Sequence, residues 1–178
     1  MTARVRFISS QFAALRRHLH EPEQVAFAFA SFAGGRFDIL EVQAMSGHDI
    51  ASRSDRHVEL HDDVRPALIR SASDRGLSLV EAHSHGARGH AAFSPSDLRG
   101  FHDWVPHLWW RLRGMPYAAL VMAGEAWDGL AWISSPTEVQ PVCAIEVSQD
   151  AADMGLIVPS GATFTSLARG DAGVRRST

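Results

Sequence analysis

The chain has 178 residues, 46% of them hydrophobic and 21% charged, with a formal net charge of -3 at pH 7. This length and composition indicate one soluble globular domain, and the slight acidic excess argues against a protein that binds nucleic acid through phosphate contacts. No apolar run approaches the roughly 18 residues of a membrane span, and the N-terminal segment lacks the apolar core of a signal peptide. With a single cysteine, Cys143, no intramolecular disulfide can form, which favours a cytoplasmic protein.

The N-terminal part of the sequence predicts a short helix followed by a β-hairpin. Pro22 prevents the helix from continuing, and the alternation of large and small apolar residues after it is typical of a buried strand. Two adjacent glycines then supply a hairpin turn. The predicted elements are a helix over 12–17 capped by Ser9 or Ser10, a strand over 25–32, a turn at Gly34–Gly35 and a strand over 36–42.

The central part predicts a second helix that leads into a strand. Acidic residues favour the start of a helix, proline is tolerated in its first turn, and glycine commonly follows its end. The predicted elements are a polar loop over 46–56, a short strand over 58–60, a helix from Asp62–Asp63 to Arg75–Gly76 and a strand over 77–85.

The C-terminal part predicts one more helix and three strands. Ser94 as N-cap followed by Pro95 is a strong helix start, and Pro106 is expected to kink or restart this helix. Strands are predicted over 117–122, 130–133 and 142–147, and the periodicity fades beyond residue 150. We therefore assign residues 1–150 to one domain and 151–178 to a partly disordered C-terminal extension with a loose tail over 168–178. The expected fold class is α/β, a single-domain mixed β-sheet flanked by helices.

Two histidines one residue apart end the predicted strand over 77–85. Successive side chains of a strand point to opposite faces, so His83 and His85 share one face. Asp97, near the next helix start, offers a carboxylate, and two imidazoles with one carboxylate can hold zinc while leaving a position for water. A chance pair among the 10 histidines, and a capping box between Ser94 and Asp97, are the structural alternatives.

The sequence His83-Ser84-His85 followed by Ser94-x-x-Asp97 resembles the His-x-His…Ser-x-x-Asp signature of the JAMM (MPN/JAB-domain) metalloproteases, specifically their small prokaryotic JAB branch. The resemblance covers roughly residues 23–135 and implies the JAB/MPN fold, which is similar to that of the cytidine deaminases. It also implies that the two histidines and the aspartate bind zinc and that the serine helps to stabilise the oxyanion.

The same resemblance implies a glutamate general base from an earlier element. Glu23 matches it because it opens the first long apolar strand, in a pattern similar to Glu-x-x-Gly-aliphatic, with Ala26 in the glycine position. Glu21 is a rival that lies outside the strand. Glu81 shares the face of His83 but lies deeper along the strand, so we do not expect it to act as base or ligand.

The activity that the resemblance implies is cleavage of a peptide or isopeptide bond after the C-terminal glycine of a ubiquitin-like protein, either in deconjugation or in precursor processing. It further implies an E1-like activating enzyme and an E2-like protein as partners. We expect the aromatic stretch over 104–110 and the loop over 46–56 to flank the site, where they could grip the tail of the modifier. The sequence departs from the family pattern in two places: Gly86 replaces the usual proline, and the segment before Ser94 is one residue longer than usual.

The sequence argues against two other classes of metalloenzyme. A cytidine deaminase needs Pro-Cys-x-x-Cys, which a single cysteine excludes, and a two-metal phosphoesterase needs more clustered carboxylates. The remaining alternative is a non-catalytic scaffold of the same family in a ubiquitin-like system. Such scaffolds typically lose the ligands, whereas His83, His85, Asp97 and Glu23 are all present here.

Overall fold

The computed structural model describes residues 2–21, 23–54, 57–86, 91–149 and 153–157. These residues form three helices and ten strands, numbered separately along the chain. The helices are α1 Ser9–His18, α2 Val64–Arg75 and α3 Pro95–Arg111. The strands are β1 Ala3–Ile8, β2 Val25–Ala33, β3 Arg36–Ala44, β4 Ile50–Ser54, β5 His57–Leu60, β6 Ser78–Ser84, β7 Tyr117–Ala123, β8 Ala126–Trp132, β9 Val139–Gln149 and β10 Asp153–Ile157.

The main sheet closes on itself through β1. This strand pairs in parallel with β3, where Val5 lies beside Phe37, and also with β9, where Val5 lies beside Ile145. Seven strands in the order β1-β3-β2-β6-β7-β8-β9 therefore form a closed mixed barrel, to which β10 is added along β9. Strands β4 and β5 form a separate hairpin.

This closure contradicts the expected fold class. The prediction of a helix-flanked mixed sheet with a JAB/MPN (cytidine-deaminase-like) fold is wrong, because the architecture is dominated by a closed sheet. The reason lies in β1, where the buried residues Ala3, Val5 and Phe7 alternate with more exposed residues, among them two arginines. Those arginines make the segment look like a polar lead into α1, so the strand that joins the two ends of the sheet was not predicted.

Strand β2 shows how the sheet contributes to two cores. Its large residues Val25, Phe27 and Phe29 face a cluster that α2 and α3 cover. The alanines between them, together with Val5 of β1, belong to a second cluster on the opposite face, where α1 packs with Phe12 and Leu15. The alternation read from the sequence is therefore confirmed, with small residues on the α1 side.

Three local predictions need correction. Helix α1 begins after Ile8, whose N–H donates to Gln11 Oε1 at 3.2 Å, so neither predicted serine is the N-cap. Helix α3 continues through Pro106 as one element, so the predicted alternative of a restarted helix is wrong. The predicted loop over 46–56 contains β4, which pairs with β5.

Two further observations concern the whole chain. Strand β10 lies within the predicted C-terminal extension, and the predicted tail over 168–178 falls outside the described residues. None of the helices in the described ranges has both the length and the apolar character needed to cross a membrane.

Candidate metal centre

His83 lies near the end of β6 in the middle of the sheet. The strand is antiparallel to β2, with His83 opposite Val25, and parallel to β7, with His83 beside Val121. His85 follows the strand end, and its backbone N–H donates to the Met122 carbonyl at 2.9 Å. Because both histidines are tied to neighbouring strands, their side chains start from fixed backbone positions on one face.

Asp97 comes to the same place from the N-terminus of α3. Ser94 and Asp97 form the predicted capping box, since Ser94 N–H donates to Asp97 Oδ2 at 2.7 Å and Asp97 N–H donates to Ser94 Oγ at 3.2 Å. The same Oδ2 atom lies 3.3 Å from His85 Nε2 and 3.6 Å from His83 Nε2. Capping and metal ligation are therefore not alternatives here, because the cap holds the carboxylate towards the histidines.

The three side chains form a compact set of donor atoms. The Nε2 atoms of His83 and His85 are 3.2 Å apart, and one ligand atom from each of the three residues lies within 4.8 Å of the others. Two imidazole nitrogens and a carboxylate oxygen suit a transition-metal ion such as zinc. This group could hold a metal ion, which confirms the coarser part of the prediction.

The electrostatics of the apoprotein reflect this crowding. Burial favours the neutral form of Asp97, but the neighbouring His83 and His85 imidazoles and Ser94 outweigh it and hold the pKa of Asp97 well below its usual range. The hydrogen bond with Asp97 raises the pKa of His85 against the opposing effect of burial. Without a metal, His85 and Asp97 are therefore paired with each other, with His85 Nε2 3.3 Å from Asp97 Oδ2.

Glu23 lies beside this group, in the turn that precedes β2. The Glu23 backbone N–H donates to the Ser84 carbonyl at 3.0 Å, which ties Glu23 to the end of β6 between the two histidines. Its backbone has a positive φ of 55°, a conformation that costs a residue with a side chain roughly 1–2 kcal/mol. Strain of this kind is retained where the surrounding structure enforces it, commonly at functional sites.

Burial raises the pKa of Glu23, while the nearby His85 and His83 partly oppose the shift and Asp97 adds to it. A carboxylate whose pKa is raised towards neutrality is better suited to exchanging protons than an ordinary surface glutamate. The structure therefore brings together all five residues that the sequence singled out: Glu23, His83, His85, Ser94 and Asp97.

These residues line a cavity of about 630 Å³ between the sheet, the β4–β5 hairpin and α3. Val58 and Leu60 of β5 form one wall, and Phe101 and Trp104 of α3 contribute another. Of the predicted aromatic grip over 104–110, only Trp104 lines the cavity, and Trp110 is 71% exposed elsewhere on α3. The segment over 46–56 contributes no lining residue among those described, because the hairpin presents β5 to the cavity.

Sequence reasoning missed Arg65, which also lines the cavity. Its Nη1 donates to Glu81 Oε2 at 3.0 Å, and the Tyr117 hydroxyl donates to the same oxygen at 2.9 Å. The guanidinium lies over the rings of Phe27 and Trp104. Glu81 is thus an internal ion-pair partner. A glutamate between the apolar residues Val80 and Ala82 was the available signal, because a buried carboxylate requires a charged or hydrogen-bonding partner.

Burial opposes ionisation of Glu81, but the Arg65 charge, His83 and the two hydrogen bonds outweigh it and lower the pKa of this carboxyl group. Glu81 therefore stays ionised and committed to its partners. This agrees with the expectation that it acts neither as a base nor as a ligand.

No protein-family model matches the chain, and no curated protein matches it. Among solved structures, the solution structure of a Desulfitobacterium hafniense protein is 11% identical, with a TM-score of 0.49, and the match covers 82% of this chain and 94% of that one. The solution structure of a Salinibacter ruber protein is 18% identical, with a TM-score of 0.43, and the match covers 88% of this chain and 95% of that one. These similarities are weak and indicate no function.

Proposed function

We propose that this protein is a zinc-dependent peptidase or isopeptidase with a JAMM-type site, which cleaves after the C-terminal glycine of a ubiquitin-like protein. The observation that carries the proposal is the convergence of His83, His85 and Asp97 with Glu23 on one cavity. The ligand residues come from a strand end and a helix start, so their side chains are held by secondary structure. A site held in this way is suited to keeping a metal in one position.

The donor set fits zinc, which, when bound, would lower the pKa of a coordinated water and polarise the scissile carbonyl group. Glu23 would accept a proton at its carboxylate and pass it to the leaving amine. Ser94 accepts a hydrogen bond from Asp97 N–H, so its own hydroxyl hydrogen can donate to the carbonyl oxygen as negative charge develops there.

An extended chain end of the substrate would occupy this cavity. Its apolar and aromatic walls, from β5 and α3, lie beside the ligand residues, and a flexible chain terminus could pass between them. The family resemblance makes the glycine-ended tail of a ubiquitin-like protein the preferred candidate, with E1-like and E2-like proteins as expected partners. Deconjugation and precursor processing would use the same site.

The experiment that tests this function is hydrolysis by the zinc-loaded protein of ubiquitin-like proteins that carry a C-terminal extension or a conjugated lysine. Glu23→Gln removes the proposed base, and Glu125→Gln makes the same chemical change at a side chain that is 89% exposed. We expect cleavage after the terminal glycine by the wild type and by Glu125→Gln, and a loss of about 100-fold or more in Glu23→Gln. Equal rates for wild type and Glu23→Gln would refute the proposed mechanism.

A further inference from the structure

We propose that Ser84, the residue between the two histidines, is the positioning residue for Glu23. This inference rests on the proposed function, because it assigns how the general base is held. It concerns a side chain that neither the ligand set nor the cavity includes. The relevant geometry is the junction where β6 meets the turn before β2.

The β2–β6 ladder changes its pattern at Ser84. In a regular antiparallel ladder, the two residues of each hydrogen-bonded pair exchange both backbone hydrogen bonds. Ser84 N–H still donates to the Gln24 carbonyl at 3.0 Å, but the Ser84 carbonyl accepts from Glu23 N–H, also at 3.0 Å. Glu23 and Gln24 therefore both oppose Ser84, which is the arrangement of a β-bulge.

The Ser84 hydroxyl completes this bulge. Its Oγ accepts the displaced Gln24 N–H at 3.0 Å and donates to the Glu21 carbonyl at 2.6 Å. One residue thus makes four hydrogen bonds to the segment that contains Glu23, two through its backbone and two through its side chain. The bulge residue in the left-handed conformation is commonly glycine, whereas here it is Glu23.

The direction of the Ser84 side chain separates this role from ligation and from substrate contact. Ser84 is 1% exposed and alternates with His83 and His85, so it lies on the side of the strand occupied by Val80 and Ala82. It therefore acts through the turn. Without the hydroxyl, the Gln24 N–H and the Glu21 carbonyl lose a partner, and Glu23 can relax to a negative φ that turns its carboxylate away from His85.

The closing experiment compares Ser84→Ala with Ser78→Ala. Ser78 is a matched control, because it lies in the same strand on the same side, is fully buried, and its Oγ has no hydrogen-bond partner among the described residues. We expect amide hydrogen exchange at Glu23 and Gln24 to accelerate at least about 10-fold in Ser84→Ala, with exchange at Leu79 unchanged. Ser78→Ala should leave all three amides at the wild-type rate. Unchanged exchange at Glu23 and Gln24 in Ser84→Ala would overturn the inference.

A second readout separates positioning from a purely local structural role. In the cobalt(II)-loaded protein, the pH midpoint of the visible absorption bands should shift in the same direction in Ser84→Ala as in Glu23→Gln, and stay at the wild-type value in Ser78→Ala. A midpoint that Glu23→Gln moves and Ser84→Ala does not would overturn the inference while leaving the proposed function intact. A midpoint that Glu23→Gln does not move would overturn both.

If Ser84→Ala does not fold, Ser84→Cys serves in its place, because a thiol fills similar space but hydrogen-bonds weakly. We expect Ser84→Cys to show the same selective exchange at Glu23 and Gln24, and Ser84→Thr, which keeps the hydroxyl, to remain near the wild type. Identical exchange rates at Glu23 and Gln24 in the wild type, Ser84→Cys and Ser84→Thr would overturn the inference.

Discussion

The backbone N–H of Glu23 donates to the carbonyl of Ser84 at 3.0 Å, at the end of β6 between the two histidines. The candidate base is therefore attached to the same strand end that supplies two candidate metal ligands. Because one backbone hydrogen-bond network holds all three residues, their relative positions are set by the sheet.

The left-handed backbone of Glu23 predicts an unusual response to glycine. Glu23→Gly removes a cost of roughly 1–2 kcal/mol but adds unfolded-state entropy of about 0.4–1 kcal/mol, so we expect a free energy of unfolding equal to or slightly above the wild type. Chemical denaturation measures this. Gln43→Gly, at an exposed position of β3, is the control and should lose about 0.5–1 kcal/mol. A loss at position 23 as large as at position 43 would show that Glu23 is not strained.

The buried ion pair in the cavity wall predicts a large difference between two arginines. Arg65→Gln leaves the buried Glu81 without its charged partner and should destabilise the protein by about 3–5 kcal/mol. Arg75→Gln breaks an exposed pair with Glu41 whose distance, 2.9 Å, is almost the same, and should cost less than about 1 kcal/mol. Urea denaturation of both variants checks this. Similar losses of unfolding free energy in the two variants would mean that burial of the Arg65–Glu81 pair does not increase its contribution to stability.

The Glu81 carboxylate also predicts a smaller loss of stability when its second partner, Tyr117, the only tyrosine of the chain, is changed. Tyr117→Phe removes a hydrogen bond to Glu81 without changing the packing of the ring. We expect a loss of about 1–3 kcal/mol, because the acceptor is a buried charged group. A loss of a few tenths of a kcal/mol would indicate that another donor replaces the hydroxyl.

Inside the closed sheet, the space at Gly129 is too small even for a methyl group. A Cβ at Gly129 would lie 2.8 Å from Leu120 Cδ2 and 3.0 Å from Val142 Cβ. Gly129→Ala should therefore cost about 1–3 kcal/mol through overpacking. Gly100→Ala, in the interior of α3 with open space around the new Cβ, should instead stabilise the protein by up to about 1 kcal/mol. In thermal unfolding, we therefore expect a lower melting temperature than the wild type for Gly129→Ala and a higher one for Gly100→Ala. A change of the same sign in both variants would contradict this packing.

The pKa shifts at the candidate site predict how pH affects the metal-free protein. The raised pKa of His85 means that its stabilising pair with Asp97 is fully present below the unfolded histidine value of about 6.5 and is lost as pH rises through the folded value. The lowered pKa of Asp97 means that its contribution is present above about 3.9 and is lost as pH falls towards the folded value. Asp97→Asn should therefore be most destabilising between these limits. An effect that grows above pH 8 would contradict this assignment.

Much of the site was predictable because it depends on short sequence spacings. The His83–His85 spacing places two side chains on one face of a strand, and the Ser94–Asp97 spacing specifies a capping box, so local rules were sufficient. Closure of the sheet was not predictable in this way, because it depends on β1 pairing with both β3 and β9, and β9 lies more than a hundred residues away along the chain. Arg65 was missed for the same reason, since its partner Glu81 is brought to it only by packing of α2 against the sheet.

The measurement that tests the central claim most directly is the metal content of the purified protein by elemental mass spectrometry. His83→Ala/Asp97→Ala removes two proposed ligands, and His102→Ala/Asp103→Ala removes a histidine and an aspartate that are more than 80% exposed on α3. The account predicts about one zinc per chain in the wild type and in the His102/Asp103 control, with zinc lost from the His83/Asp97 variant. Absence of zinc from the wild type after reconstitution, or its retention in the His83/Asp97 variant, would contradict the account.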